Sequence, residues 1–590
     1  MSSSPGCPCS ARLSPRFAAK LAKRTETVHV AAGHWLFRQG DAADAMYIVR
    51  AGRLEAIDEA TSTVLRELGR GDAVGELGLL TGSPRAAGVR AARASDLIAI
   101  DSEDFDEFLQ SSPALSLALT RSLAEQLRET GAPAPRARPR PTTVAIVRLT
   151  RHAPRDTIGH DLARALSAYL SPVLLDGSEI HEPAESEAPA AAYGPLLDRA
   201  EAAHDLVLLD GGTVSSERPW GKFCLQQADR ILALTYADQK PDPGLVGPEL
   251  RGCDLVQLDA SPGTGAVASW AELLDPIESH VIRRTSWDGD IGRMARRLSG
   301  RSVGIVLSGG GARAFSHIGV LEELMAAGIT IDRVMGVSMG AFVGALFAMG
   351  LDADEMDECC FEEWVQRRPL SDYTIPRHSL IRGERFRSML QRTFGQTMIE
   401  ELPLSYMCGC TELRSGRLVL ARHGSLFEAV GFSICLPIIA PPQVRGRELF
   451  IDGSLVDNLP VGAMAELGEG PVIAVDVKAT FERPPTMKNG NGGSADGTRI
   501  DVDGAQTART PSLGETLTRV LLLGSAKTSE AASRHADMVI RPRVEGVGLL
   551  EFHQLDAARR AGRAAAREVL ERGSTISFVS QEFGTGPVDD

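Results

Sequence analysis

Short apolar runs alternate with polar residues and break at glycines in HWLFRQGD, AMYIVRAGRLEAI, VLRELGRGD and GVRAARASDLIAID. From about residue 25 to 110 this period-two pattern predicts a small antiparallel β unit. PALSLALTRSLAEQLRET, residues 113–130, switches to helical period, with Pro113 suited to a first turn. GAPAPRARPRP, residues 131–141, predicts an extended linker. Between residues 143 and 280, VAIVRL, PVLLD, HDLVLLDGG, RILALTYA and DLVQLD read as buried strands and DLARALSAYL as an intervening helix. That alternation predicts a parallel α/β sheet. A third run of α/β signals starts at SVGIVLS and continues to about residue 580. It is interrupted by a Gly/Asn/Asp-rich stretch, residues 485–512, that predicts a flexible insertion. The expected fold class is multidomain: an N-terminal β-roll with helices, a middle α/β domain, and a C-terminal α/β hydrolase with a central, mostly parallel sheet. The expected units are 25–130, a linker at 131–142, 143–280 and 303–580.

Composition narrows the function classes. The chain has 590 residues, is 43% apolar and 24% charged, and carries a net charge of −14. That charge argues against nucleic acid as a partner and against wholesale adhesion to anionic lipid. The cysteine pairs Cys7/Cys9, Cys408/Cys410 and Cys359/Cys360 lack zinc-site spacing, so no metal and no disulfide framework is expected. A reducing, cytoplasmic setting follows. The first residues, MSSSPGCPCSARLSPR, have no apolar core for a secretory signal, and Ser2 stands where myristoylation needs glycine. The middle unit has no G-x-x-x-x-G-K-[ST] and keeps no assigned chemistry.

Residues 334–351 run uncharged for the 18 positions at which a membrane span becomes a candidate. The same stretch holds Gly336-Val337-Ser338-Met339-Gly340, the G-x-S-x-G of a nucleophile elbow. A helix from Met339 to Gly350 would be ~18 Å long against a ~30 Å bilayer core, which favours the elbow. Upstream, SVGIVLSGGGARAFSHIGVLEELMAAG leads a strand through Gly309, Gly310 and Gly311 into a helix. It fits a dinucleotide fingerprint with Asp332 as the acidic residue, or an oxyanion hole. Only the second needs a nucleophile about 25 residues on. For the base, His378, His423, His535 and His553 do not sit in a recognisable loop after a late strand, and His317 reads as a core or loop residue. Asp452, at the end of the strand in ELFIDGSLVDNLP, can reach the serine directly, and burial would raise its pKa.

Two further stretches carry charge with a purpose. In GELGLLTGSPRAA, residues 75–87, Gly75 opens a helical turn, Glu76 can accept from a sugar hydroxyl, and Arg85 offers a fork to phosphate. IGRMARRLSGR, residues 291–301, predicts a basic helix. Arg293, Arg296 and Arg297 could meet lipid headgroups, but a solvated face docked beside the next unit is favoured.

The 75–87 stretch, with Gly40 and Gly52, resembles the cyclic-nucleotide-binding domain family over about residues 28–130. The resemblance implies Glu76 on the ribose 2′-hydroxyl, Arg85 on the cyclic phosphate, and help from the amides of Gly75 and Leu77. Ala86 replaces a common Thr or Ser, which favours cAMP over cGMP as effector. SGGGAR (308–313), GVSMG (336–340), FSICLPIIAPP (432–442) and Asp452-Gly453 together resemble the patatin-like phospholipase family over about residues 303–480. That resemblance implies Ser338 as nucleophile, Asp452 as base, and Gly309, Gly310 and Gly311 as oxyanion hole supported by Arg313. The order of units, Asn458-Leu459-Pro460 and ADMVIRPRVEGVG resemble the neuropathy-target-esterase branch, although Ser454 stands where Gly or Ala is usual and one nucleotide unit replaces several. The expectation is a serine esterase acting on lysophospholipid or phospholipid through a Ser–Asp dyad, without a catalytic cofactor, peripheral at a membrane surface. The alternative is a catalytically inactive, cyclic-nucleotide-sensing interaction protein.

Overall fold

The computed structural model describes residues 26–31, 33–59, 63–69, 72–105, 141–150, 157–177, 189–214, 218–236, 239–259, 266–375, 379–477 and 532–572. The expected helix at 113–130, nearly all of the linker and the insertion at 485–512 lie outside them.

Three sheets follow one another along the chain. The first holds β1 (Glu26–Val30), β2 (Trp35–Phe37), β3 (Ala45–Asp58), β4 (Thr63–Leu68), β5 (Ala73–Val74) and β6 (Gly88–Asp101). All its pairings are antiparallel, in the order β1-β6-β3-β4, with β2 on β6 and β5 on β3. Alternate residues point inward, so Val49, Leu54, Leu68, Val89 and Leu97 form one core.

The second sheet holds β7 (Thr143–Arg148), β8 (Pro172–Asp176), β9 (Leu206–Thr213), β10 (Arg230–Tyr236), β11 (Asp254–Leu258) and β12 (Glu278–Ile282). It is wholly parallel, in the order β12-β11-β10-β7-β9-β8. Period two sends Val144, Ile146, Leu206, Leu208 and Leu232 to one face and Ala145, Val207 and Leu209 to the other. Both faces are covered, as a parallel sheet requires.

The third sheet holds β13 (Gly304–Leu307), β14 (Arg333–Val337), β15 (Ser405–Glu412), β16 (Arg417–Ala421), β17 (Gln443–Arg445), β18 (Glu448–Asp452), β19 (Val472–Val475) and β20 (Met538–Ile540). Its order is β17-β18-β15-β14-β13-β19-β20, with β16 on β15. The strands from β15 through β14, β13 and β19 to β20 are parallel, and β16, β17 and β18 pair antiparallel. Ile305 and Leu307 pack under the helices Ser316–Ala326 and Met339–Ala348, while Val306 and Met335 face Leu459, Val461 and Met464.

The helix Trp287–Leu298 joins the second and third sheets; it docks beside the next unit as expected, but its arginines correct the lipid-headgroup reading and the solvated part of the other. Ile291, Met294, Ala295 and Leu298 pack on the second sheet. The opposite side is neither lipid-facing nor solvated. Arg293 donates to Asp290 and to the Pro403 carbonyl, Arg296 grips Asp332 at 2.7 and 2.9 Å, and Arg297 is buried with Glu278 at 2.8 Å and Glu469 at 2.7 Å. Glu469 also receives Arg230 at 3.1 Å and lies 3.9 Å from Arg333 at the foot of β14. Burial alone would raise the Glu469 pKa, but Arg297, Arg230 and Arg333 overcome it and hold the carboxyl far below the usual range. Its stabilising charge is therefore kept down to strongly acidic pH. Removing one partner of a buried pair leaves uncompensated charge, so Glu469→Gln is expected to destabilise the fold by about 3–5 kcal/mol, read as a lower urea midpoint.

Candidate active site

β14 runs straight into the helix Met339–Ala348, and the joint is Ser338, with φ 55° and ψ −130°. A non-glycine residue with positive φ is strained, and such strain persists only where packing enforces it. The enforcement comes from close approach: a Cβ on Gly340 would lie 2.3 Å from the Leu307 carbonyl, and one on Gly336 2.4 Å from that of Gly340. The buried apolar stretch is thus a ten-residue helix under an elbow. Among the described residues no helix is long and apolar enough to cross a membrane.

The Ser338 hydroxyl donates to Asp452 Oδ2 at 2.7 Å. Asp452 ends β18 and is 1% exposed. Its other oxygen accepts the Ser454 N–H at 2.9 Å, its own N–H donates to the Cys435 carbonyl, and its carbonyl accepts the Thr411 hydroxyl. Burial pushes the carboxyl pKa up, with the Ser338 hydroxyl and Ser454 N–H pulling the other way. Ser454 meets the carboxyl through its side chain as well as its backbone N–H, and glycine or alanine at this position would lack the side-chain contact. No histidine bonds to either residue among the described contacts. His317 is fully buried, donates through Nε2 to the Ser308 carbonyl at 2.8 Å, and has its pKa pushed down to about 4 by burial. It is a neutral core residue.

The glycine loop lies over the serine: a Cβ on Gly309 would sit 2.9 Å from Ser338 Cβ. Its backing comes from far along the chain. Ala312 N–H donates to the Leu549 carbonyl and Arg313 Nε to the Val547 carbonyl. Gly311, at φ 56°, has Leu549 so close that a Cβ would meet its carbonyl at 2.1 Å. The Gly309 N–H, expected to face a substrate oxygen, is spent instead on Asn458 Oδ1 at 2.9 Å, while Asn458 Nδ2 returns to the Gly309 carbonyl at 3.3 Å. Gly310 and Gly311, both partly exposed, keep N–H groups that donate to no acceptor among the described residues. A second unforeseen residue is Ser433, which accepts the Ser338 N–H at 2.9 Å and donates to the Gly409 carbonyl at 2.7 Å. The N-L-P run after Asp452-Gly453 was the one sequence signal pointing near Asn458. Ser433 had none beyond its place in FSICLPIIAPP.

In the first unit Gly75 has φ 87° and precedes the short helix Glu76–Thr81. Glu76 and Arg85 are both buried, and Leu77 and Ala86 are exposed. The Arg85 fork is already engaged: Nη1 donates to the Gly75 carbonyl at 3.0 Å, and Nη2 to the Ala45 carbonyl at 2.7 Å and Asp44 at 3.1 Å. The guanidinium also lies 4.1 Å from the centre of the Phe37 ring. No cluster of three or more His, Cys, Asp or Glu able to hold a metal occurs among the described residues.

Comparison with known proteins agrees with this layout. Residues 305–465 match the patatin-like phospholipase family and residues 27–112 the cyclic nucleotide-binding domain. The N-terminal domain of a transcriptional regulator from Streptomyces coelicolor A3(2) is 30% identical over 21% of this chain and 91% of that chain, with a TM-score of 0.18. Lysophospholipase NTE1 of Coccidioides immitis is 29% identical over 95% of this chain, which spans 41% of that longer protein. An uncharacterized NTE family protein of Mycobacterium tuberculosis is 35% identical over 568 residues, 94% of this chain and 93% of its own length. With that identity held across nearly the whole of both proteins, the chain belongs to the NTE family.

Proposed function

We propose that this chain is a serine esterase that hydrolyses acyl esters of lysophospholipid or phospholipid. The observation that carries the reading is the 2.7 Å bond from Ser338 to a buried aspartate of raised pKa. Ser338 Oγ attacks the acyl carbonyl carbon as its proton passes to Asp452 Oδ2. The negative oxygen of the tetrahedral intermediate is met by the N–H groups of Gly310 and Gly311, and Arg313 braces that loop. Asp452 then protonates the departing alcohol, leaving an acyl-serine. Water attacks the acyl carbon as its proton passes to Asp452, which then returns that proton to Ser338 Oγ as the acyl–oxygen bond breaks and the fatty acid leaves. The test is hydrolysis of lysophosphatidylcholine and of a p-nitrophenyl acyl ester, with fluorophosphonate labelling of Ser338. A chain that neither labels nor turns over either ester is the inactive sensor of the alternative reading.

In this reading Asn458 is a positioning residue. It pairs with both peptide groups of Gly309 and so sets where the next two N–H groups aim. Losing one oxyanion donor costs about 3–4 kcal/mol of transition-state stabilisation, so Asn458→Ala is expected to lower kcat by about 10²–10³-fold. KM should change little, because the ground-state ester makes weaker use of those donors. Steady-state kinetics on the p-nitrophenyl ester separates the two parameters.

The first unit, taken as residues 25–130, is proposed to bind a cyclic nucleotide through Glu76 and Arg85, with cAMP preferred because Ala86 has no hydroxyl for a guanine amino group. The domain match at 27–112 supports this. Bound phosphate would have to draw the Arg85 fork from Gly75, Ala45 or Asp44. Isothermal titration with both nucleotides tests binding and preference. The unit at 143–280 is proposed as the spacer that couples the first unit to the hydrolase at 303–580, since Arg53 of the first reaches Asp229 at 3.3 Å. A lipid substrate supports a peripheral position at a cytoplasmic membrane surface, which fractionation of cells would check.

A further inference from the structure

The three most exposed large apolar side chains among the described residues are Ile375, Tyr373 and Val444, at 82%, 73% and 66%. They are not scattered. Tyr373 pairs with Ile381, Thr374 N–H donates to the Leu380 carbonyl, and Leu380 N–H donates to the Ile438 carbonyl at 2.7 Å. Ile438, itself exposed, continues through residues 439–443 to Val444 on the edge strand β17. The result is one apolar strip on two adjoining segments.

The strip is tied to the reacting pair at both ends. Cys435, whose carbonyl receives the Asp452 N–H, lies three residues before Ile438. Val444 pairs with Leu449, three residues or ~10 Å along β18 from Asp452. A strip this exposed would be costly in water unless something covers it.

The charge beside it indicates what does. Described residues 371–375, 379–387 and 443–448 carry the arginines Arg382, Arg385, Arg387, Arg445 and Arg447 against Asp372, Glu384 and Glu448. All five arginines are exposed. This is a local positive excess in a chain of net charge −14. Apolar side chains flanked by arginines, with a tyrosine among them, match the interfacial zone of a bilayer. The apolar groups enter the acyl boundary while the guanidiniums meet anionic headgroups.

We propose that this strip seats the enzyme on an anionic phospholipid surface and so delivers lipid to Ser338. The inference rests on the esterase reading for its purpose, but its test does not depend on turnover. The full chain is sedimented with vesicles of phosphatidylcholine alone and of phosphatidylcholine mixed with phosphatidylglycerol. The wild type is expected to bind the mixed vesicles more tightly, and salt should weaken that preference. The double variant Y373D/I375D is expected to lose binding by at least about tenfold, from the loss of two apolar side chains that would enter the acyl boundary. Fluorophosphonate labelling reports that its fold is intact. Ser338→Ala should bind vesicles like the wild type, so an active Ser338→Ala would end the esterase assignment without touching this one. The proposal is overturned if the wild type stays unbound with both vesicles, or if the double variant sediments as the wild type does. It is also overturned if the double substitution acts only by dissociating an oligomer, since a second copy would then be the cover.

Discussion

Ser338→Ala is expected to abolish turnover of lysophosphatidylcholine, with a fall in kcat on the order of 10⁴-fold or more. The figure is large because in the proposed reaction the Ser338 hydroxyl is the group that forms the acyl bond. Gly310, Gly311 and the packing that holds them would remain, and they leave a small residual stabilisation of charge on the carbonyl oxygen. Labelling by a fluorophosphonate should disappear altogether. The thermal midpoint should move little, since the substitution removes one hydroxyl and relieves little of the elbow, whose shape is set by Gly336, Gly340 and the Leu307 carbonyl. Wild-type turnover by this variant would remove Ser338 from the mechanism.

Asp452→Asn is expected to cost about 10³-fold in kcat, within the range of a lost general base. It also has a signature that a merely structural change would not produce. Burial raises the Asp452 pKa, so the base form is lost as pH falls through a value above the ordinary aspartate range. Wild-type kcat/KM should show its acid limb there, and the residual activity of the variant should not. Stability runs the opposite way. A carboxyl whose folded pKa is raised favours the native state at low pH, and that contribution is lost as pH rises through the folded pKa. At neutral pH the native protein therefore bears a buried charge that asparagine lacks. The variant should melt at a higher temperature than the wild type at neutral pH, with the gap closing on acidification. An unchanged or lower midpoint at neutral pH would argue that the carboxylate is better solvated than its burial indicates.

What could be read from the chain alone divides along the range of the interactions involved. Strands such as Val144–Val147 and Ile305–Leu307 announce themselves through their own side-chain spacing, which is a local property. The elbow is equally local: Gly336, Ser338 and Gly340 lie within five residues. Asp452 was accessible because a carboxylate before a glycine at a strand end is itself a short pattern. Asn458 and Ser433 were not, because they meet Gly309 and Ser338 across 149 and 95 residues and no nearby pattern reports such a partner. The same holds for Arg293, Arg296 and Arg297. A run of cations normally faces solvent, and only the tertiary arrivals of Asp332, Glu278 and Glu469 reverse that. The engagement of the Gly309 N–H with Asn458 was hidden for a related reason: a glycine run shows that donors can be exposed, but not which of them the rest of the protein has already taken.

The ion cluster around Glu469 bears on how this protein can be cut or recombined. An excised hydrolase beginning at residue 303 would keep Glu469 and Arg333 while discarding Arg230 and Arg297, the two cations that bond that carboxylate. The severed piece would have to expose or neutralise a group its parent holds ionised. Fusions that graft this hydrolase onto another sensor should therefore carry the stretch from Arg230 through the 287–298 helix with it, making the practical unit of transplantation larger than the catalytic sheet.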